Sequence, residues 1–198
     1  TLDRSSAASD VYKRQAHAFQ DELDQLVADD GFPGALAAVR GADGRVRHLT
    51  AGVGDLTTGE PVPVDGQVRI ASNTKTFVAT VVLQLVGEGL VDLDAPIETY
   101  LPGLVRGPGG DGNAITVRQL LQHTSGLPDY DDVVVADYLA VQHRYVEPHQ
   151  LLDIALARPA SFAPDTGWEY SNTNYVLAGL LVQEVTGRPP SRRRGPAR

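Results

Sequence analysis

The sequence predicts an α/β (α+β) chain whose middle is largely helical. Three observations carry that prediction: an amphipathic helix near the start, two short β-prone runs around a Gly/Asp turn, and apolar residues that recur at helical spacing beyond residue 70. The 198 residues fit one domain or a little more. With 42% of residues hydrophobic and 21% charged, there is enough apolar material for a core.

Residues 1–15 show no apolar periodicity and no signal-peptide apolar stretch, so they stand as an unassigned leader. The chain contains no methionine, so Thr1 is not an initiator and a processed, tagged or truncated N-terminus is expected. Ala16–Ala28 places Phe19, Leu23 and Leu26 on one helical face, and Gly31 and Pro33 end that helix. The runs Ala35–Arg40 and Val46–Val53, joined through Gly41-Ala-Asp-Gly44, read as a β-hairpin. From Ser72 to Gly87, Phe77, Val78, Val81, Val82, Leu85 and Val86 recur at helical spacing while Ala79 and Leu83 fill the other side. A helix apolar nearly all round is expected to be buried.

Thr116-Val-Arg-Gln119 is a capping-box pattern that opens a short helix through Leu121, with Gly126 as its stop. Pro148 starts and Pro159 stops a helix carrying Leu151, Leu152, Ile154 and Leu156. A last helix runs from about Asn174 to Thr186, and Gly187 ends it. Gly107-Pro-Gly-Gly-Asp-Gly112 reads as a flexible loop, and Trp168 as local packing.

Composition excludes several functions. The longest apolar run, Phe77–Val86, is about half a membrane span and includes Gln84, so no integral membrane segment is expected. The absence of cysteine removes disulfide frameworks, thiolate metal sites and cysteine nucleophiles. Net charge is −8, yet residues 188–198 hold five arginines and no acid, which leaves 12 minus 25, or −13, for the rest. An acidic body argues against nucleic acid as a partner. The Arg/Pro-rich tail offers a core almost nothing to bury and reads as disordered rather than as a binding arm. His17, His48, His123, His143 and His149 show no zinc spacing, so no metal site is expected. Gly52-Val-Gly54 lacks the rest of a dinucleotide loop, and no phosphate-binding loop pattern occurs. No cofactor is expected.

Two short patterns carry chemistry. Lys75, one of only two lysines, follows Ser72 by three positions, so hydroxyl and amine share a helix face. A shielded amine is a plausible base, and a serine needs one to become a nucleophile. Ser72 at a helix start also has free N–H groups nearby, suited to a developing oxyanion. The bland alternative is a Ser72 that caps the helix and a Lys75 that snorkels to water. In Tyr170-Ser-Asn172, an extended backbone would point both outer side chains the same way. The phenol can relay a proton, and the amide can orient a lysine or a substrate carbonyl. Packing by Tyr170 and capping by Asn172 is the alternative there.

Taken together, Ile70-Ala-Ser-Asn-Thr-Lys75, Leu90-Val-Asp-Leu-Asp-Ala-Pro-Ile97, Tyr100-Leu-Pro-Gly103, Ile115–Leu127 with its His-Thr-Ser-Gly, and Tyr170-Ser-Asn-Thr-Asn-Tyr-Val-Leu-Ala-Gly179 resemble the serine β-lactamase-like, penicillin-binding hydrolases. The resemblance is in particular to class C β-lactamases and soluble D-alanyl-D-alanine carboxypeptidases. The resemblance covers about Phe32 to Gly187 and implies a β-lactamase/transpeptidase-like fold, an antiparallel sheet flanked by helices plus a mainly helical subdomain. It implies Ser72 as acylated nucleophile, Lys75 as proton acceptor, Tyr170 as proton carrier to the leaving group, and Asn172 as holder of the substrate amide. The implied reaction is acyl-enzyme hydrolysis of a small peptide or β-lactam, by a periplasmic or secreted protein that is a monomer when intact.

The family's third motif, His-x-Gly or Lys-Thr-Gly downstream of Tyr-x-Asn, does not occur in these residues, and His123-Thr-Ser-Gly126 resembles the family's structural stretch instead. Residues 16–187 are therefore expected to be a C-terminally truncated domain with an incomplete sheet, poorly cooperative or aggregated when made alone. A non-catalytic fragment or binding-only homologue is the second expectation.

Overall fold

The computed structural model describes residues 17–41, 44–134, 136, 138–141 and 143–188. The unassigned leader, residue 16, the tip of the hairpin turn and the tail from 189 onward lie outside them. The chain divides at Arg69/Ile70 into two compact units.

In the first unit, residues 17–28 form helix α1, with Leu23, Leu26 and Val27 partly buried on one face and Phe19 half exposed. Strands β1 (Gly34–Arg40) and β2 (Val46–Gly52) pair antiparallel in the register Gly34↔Gly52 to Arg40↔Val46, and form the two-stranded sheet seen among the described residues. The side chain of Gln20 on α1 donates to the Thr50 carbonyl at 3.0 Å. The closeness of Gly52 to Pro33, at a φ of +68°, explains why only glycine serves at the end of β2.

The second unit is mainly helical. A single 3₁₀ turn, Ala71–Asn73, leads into α2 (Thr74–Gly87). Helix α3 (Val117–Gln122) follows, then the short turns α4 (Asp131–Val134) and α5 (Tyr138–Val141), then α6 (Pro148–Leu156) and α7 (Asn172–Thr186). α7 is central and packs against α2, α3 and α6. Leu177, Ala178, Leu181 and Val182 of α7 are buried against Val82 and Leu85 of α2, Leu120 of α3 and Leu152 of α6 in one apolar core.

The predicted capping box is present: Thr116 Oγ1 accepts from the Gln119 N–H, and the Gln119 side chain accepts from the Thr116 N–H at 3.0 Å. α6 begins at Pro148 with a second reciprocal cap between Glu147 and Gln150. Gly187, at a φ of +64°, ends α7.

Four expectations need correction. α2 is not buried all round: Val82 and Leu85 face the core, whereas Phe77 is 64% and Leu83 52% exposed. Periodicity reports that a face is apolar, but burial needs a partner, and α7 covers one side only. α3 closes at His123, which takes the left-handed conformation itself at a φ of +61°, three residues before Gly126. α7 begins at Asn172, earlier than expected, because Ser171 supplies the extended N-cap backbone. The Gly107–Gly112 loop, expected as a flexible loop, is tied down by backbone hydrogen bonds. The Gly109 N–H donates to the Leu156 carbonyl at 3.2 Å, and a Cβ at Gly109 would lie 2.7 Å from Leu156 Cα.

Replacing the fully buried Leu177 by Ala should cost about 2–5 kcal/mol of unfolding free energy, read as a lower urea midpoint with an unchanged slope. Thr116→Ala should cost about 1 kcal/mol through the lost cap.

Candidate active site

The site forms where α2 and α7 both begin. Ser72 sits in the 3₁₀ turn rather than within α2, yet the three-residue spacing still places Lys75 Nζ 3.1 Å from Ser72 Oγ. No side-chain cap bond occupies the Ser72 hydroxyl, so the capping alternative does not hold. Its neighbour Ala71 adopts a φ of +44°, a conformation that L-residues with a side chain rarely take. That turn presents Ser72 at an exposed position.

The second pattern arrives from the other helix. Tyr170 OH lies 2.7 Å from Ser72 Oγ, across 98 positions of sequence. Asn172, the first residue of α7, accepts from Lys75 Nζ through Oδ1 at 2.6 Å. The structure thus brings all four sequence-identified residues together, with Lys75 touching both Ser72 and Asn172. Lys75 is half-buried, and its ammonium lies 4.7 Å from the Tyr170 ring centre and 5.6 Å from that of Tyr175. A cleft of about 320 Å³ opens here, lined by Ser72, Lys75, Val78, Tyr130, Asn172 and Tyr175.

Burial acts to raise the Tyr170 phenol, but hydrogen bonding to Lys75 and Ser72 and the Lys75 charge outweigh it and hold the phenol below its usual range. Burial pushes the Tyr130 and Tyr175 phenols up, with nearby Asp131 and Asp129 adding to the effect at Tyr130 and Tyr170 adding to it at Tyr175. Asp131 is raised by burial and by the neighbouring carboxylates of Asp129 and Asp132.

Residues that sequence reasoning did not single out for the site support it from behind. The His123 ring stacks on Tyr170 with centroids 4.6 Å apart and planes 26° apart. Its Nδ1 faces two donors, the Ser171 N–H and Asn174 Nδ2, each at 3.2 Å, which assigns Nδ1 as acceptor and the proton to Nε2. The buried Asn174 amide is oriented from its other end by Ser125 Oγ at 2.5 Å. Asp129 accepts from Asn172, and Tyr175 OH donates to the Leu121 carbonyl at 3.1 Å. Trp168 touches His123 edge-on but is 66% exposed, so it packs locally on one edge alone. No single sequence signal marks these partners, because the contacts span more than forty positions. Among the described residues, no group of three His, Asp or Glu side chains assembles to hold a metal ion.

A mainly helical body, a small antiparallel sheet, and a Ser-x-x-Lys faced by a Tyr-x-Asn define the β-lactamase/transpeptidase-like fold. The chain belongs to the Beta-lactamase family, whose sequence model matches residues 19–192. Among solved structures, a D-stereospecific amidohydrolase from a Streptomyces species superposes with a TM-score of 0.77 at 44% identity, over 88% of this chain and 50% of that one. A D-amino acid amidase from Ochrobactrum anthropi SV3 superposes with a TM-score of 0.74 at 34% identity, over 88% and 46% respectively. Esterase EstB of Burkholderia gladioli is 34% identical over 84% of this chain and 44% of its own. Penicillin-binding protein 4* of Bacillus subtilis is 30% identical over 79% and 33%. The chain therefore spans between a third and a half of the length of these relatives. No helix among the described residues is long and apolar enough to cross a membrane.

The pH dependence of stability follows from His123. Burial lowers its basicity first, the Lys75 charge lowers it further, and Asp129 opposes both. The unfolded chain then binds more protons than the folded one below the ordinary histidine range, so stability falls as pH drops through about 6.5. Thermal melts from pH 8 to pH 5 should show this loss in the native chain, and the part due to His123 should vanish in His123→Gln.

Proposed function

We propose that the chain carries the nucleophilic centre of a serine hydrolase that opens amide or lactam bonds through an acyl-enzyme at Ser72. One observation carries the reading: Ser72 Oγ lies within hydrogen-bond reach of two proton-handling groups at once, Tyr170 OH at 2.7 Å and Lys75 Nζ at 3.1 Å. Geometry of this kind is what a weak nucleophile needs.

Lys75, whose ammonium must first release a proton to solvent, takes up the Ser72 hydroxyl proton as Ser72 Oγ attacks the substrate carbonyl carbon. The Ser72 backbone N–H, at the start of the helical turn, faces the developing oxyanion. Tyr170, whose phenol is held below its usual range, carries a proton to the leaving nitrogen as the carbonyl–nitrogen bond breaks. Water then attacks the Ser72 ester, the same groups take its proton and return it to Ser72 Oγ as the carbonyl–Oγ bond breaks, and the acid product leaves. Asn172 holds Lys75 through Oδ1 and keeps the amine turned toward the hydroxyl. No step calls for a cofactor.

For substrate, we propose small amides of D-configured residues, D-Ala-D-Ala-type peptides and β-lactams. A D-stereospecific amidohydrolase, a D-amino acid amidase and a penicillin-binding protein among the relatives support that class, while Esterase EstB favours esters as a second one. We propose further that residues 16–187 belong to this hydrolase domain, in a protein that is periplasmic or secreted and, when intact, monomeric.

A fluorescent penicillin should attach covalently to Ser72, located by peptide mass spectrometry. Label that persists in Ser72→Ala would refute the assignment. Lys75→Ala and Tyr170→Phe should each slow acylation by about 10²–10⁴-fold, the usual worth of a positioned acid–base group. Sustained hydrolysis of a chromogenic cephalosporin would separate a turning-over enzyme from a binding-only homologue.

A further inference from the structure

We infer that Asp129 is a positioning residue, which sets the direction of the Asn172 carboxamide and through it the place of the Lys75 amine. Its kinetic consequence rests on the acyl-enzyme reading, whereas its geometry does not. One carboxylate oxygen, Asp129 Oδ2, accepts two hydrogen bonds from the same residue, the Asn172 backbone N–H at 3.0 Å and Asn172 Nδ2 at 2.9 Å. The other oxygen, Oδ1, accepts the Asp131 N–H at 3.1 Å.

The two ends of a carboxamide have almost the same shape and opposite hydrogen-bonding character. In the observed orientation, Asn172 turns Nδ2 to the Asp129 carboxylate and Oδ1 to the Lys75 ammonium. A half-turn about the terminal bond would set oxygen against carboxylate and N–H against ammonium, so both contacts would change sign. Asp131 Oδ2, at 3.4 Å from Nδ2, is a distant second acceptor. The acid at 129 therefore decides which end of the amide Lys75 meets.

Helix geometry adds a second, independent reason. The Asn172 N–H is the first of α7 and has no acceptor within the helix, and Ser171 makes no side-chain cap bond. Asp129 supplies that cap from 43 positions away, with its negative charge at the positive end of α7. The acid is itself anchored. Its carbonyl accepts Arg158 Nη1 at 2.8 Å, and the preceding Pro128 carbonyl accepts Thr173 Oγ1 at 2.7 Å. Asp129 is thus tied to the same helix start that carries Asn172.

The test measures fluorescent-penicillin acylation of Ser72 in Asp129→Ala, Asn172→Ala and the double variant, beside side-chain amide exchange in chains labelled with [¹⁵N]asparagine. The expected result is acylation slowed about ten- to a hundred-fold in Asp129→Ala, as for other small misplacements of catalytic groups, with the preceding non-covalent complex unweakened. In the Asn172→Ala background, Asp129→Ala should add no further loss, and Asn172 amide protons should exchange faster whenever Asp129 is replaced. Acylation at the native rate, or losses that multiply in the double variant, would overturn the inference. Should Asp129→Ala fail to fold, Asp129→Asn keeps the size but leaves one oxygen to serve both Asn172 and Asp131, and a smaller slowing is expected. If the native chain takes no label, the acyl-enzyme reading fails by itself. Asn172 exchange that stays unchanged in Asp129→Asn would then dispose of the positioning role.

Discussion

The site depends on Lys75 bridging two helix starts. Through Nζ it reaches Ser72 on the turn before α2 and Asn172 on α7, residues that lie far apart along the chain. Hydrogen bonds of this length tolerate only small displacements, so the relative placement of the two helices has to be fixed by something stiffer. The core supplies it. Val82 and Leu85 of α2 and Leu177 and Leu181 of α7 are fully buried in one cluster, and close-packed side chains resist sliding. Chemistry and packing are therefore two ends of one helix pair, with the polar quartet at the helix starts and the apolar residues one or more turns further along.

Presenting Ser72 has a local cost that the same packing offsets. A left-handed φ at Ala71 is unfavourable by about 1–3 kcal/mol and persists only where surroundings over-determine it. Two interactions do so on either side: the Asn73 N–H and side chain both return to the Ile70 carbonyl, at 3.0 and 3.1 Å, and Ser72 itself is held by Lys75 and Tyr170. The strained residue sits directly before the proposed nucleophile, which points the hydroxyl away from the helix axis and toward the cleft.

Much of this was legible in the sequence, for identifiable reasons. Ser72 and Lys75 could be paired because helical periodicity fixes which side chains share a face, and that local rule survives even where the first turn tightens to 3₁₀. Tyr170 and Asn172 could be paired because alternate residues of an extended segment point the same way, and the Ser171 backbone is extended. The capping box at Thr116 and the proline start of α6 are equally local. What local rules could not supply was covering. Phe77 and Leu83 read as core residues yet face outward, since no periodicity reveals whether a second layer lies over them. Nor could they supply His123, Asp129 and Asn174, whose roles come from contacts made across more than forty positions. A glycine-free left-handed helix end at His123 was unforeseeable for the same reason, because Gly126 offered the cheaper stop and the His123 contacts outweighed it.

Those long-range partners explain how one cation comes to act on Tyr170. The Tyr170 ring meets both the Lys75 ammonium, 4.7 Å from its centre, and the His123 ring, stacked on it at 4.6 Å. Were His123 charged, a second positive group would stand near Lys75 beside the same tyrosine. The site avoids this by offering His123 Nδ1 two donors, Ser171 N–H and Asn174 Nδ2, which leave no room for a proton on that nitrogen. Burial and the Lys75 charge act in the same direction and outweigh the opposing pull of Asp129 and of the Ser171 hydrogen bond. A neutral imidazole then serves as a flat, uncharged support, and the loosening of the Tyr170 proton traces to the nearby Lys75 and to Ser72, which meets its oxygen at 2.7 Å. The acid side of the site works in the complementary sense: Asp129 spends its lone pairs on N–H groups of Asn172 and Asp131 rather than on Lys75 directly, so the amine stays within reach of the Ser72 hydroxyl instead of being drawn into an ion pair.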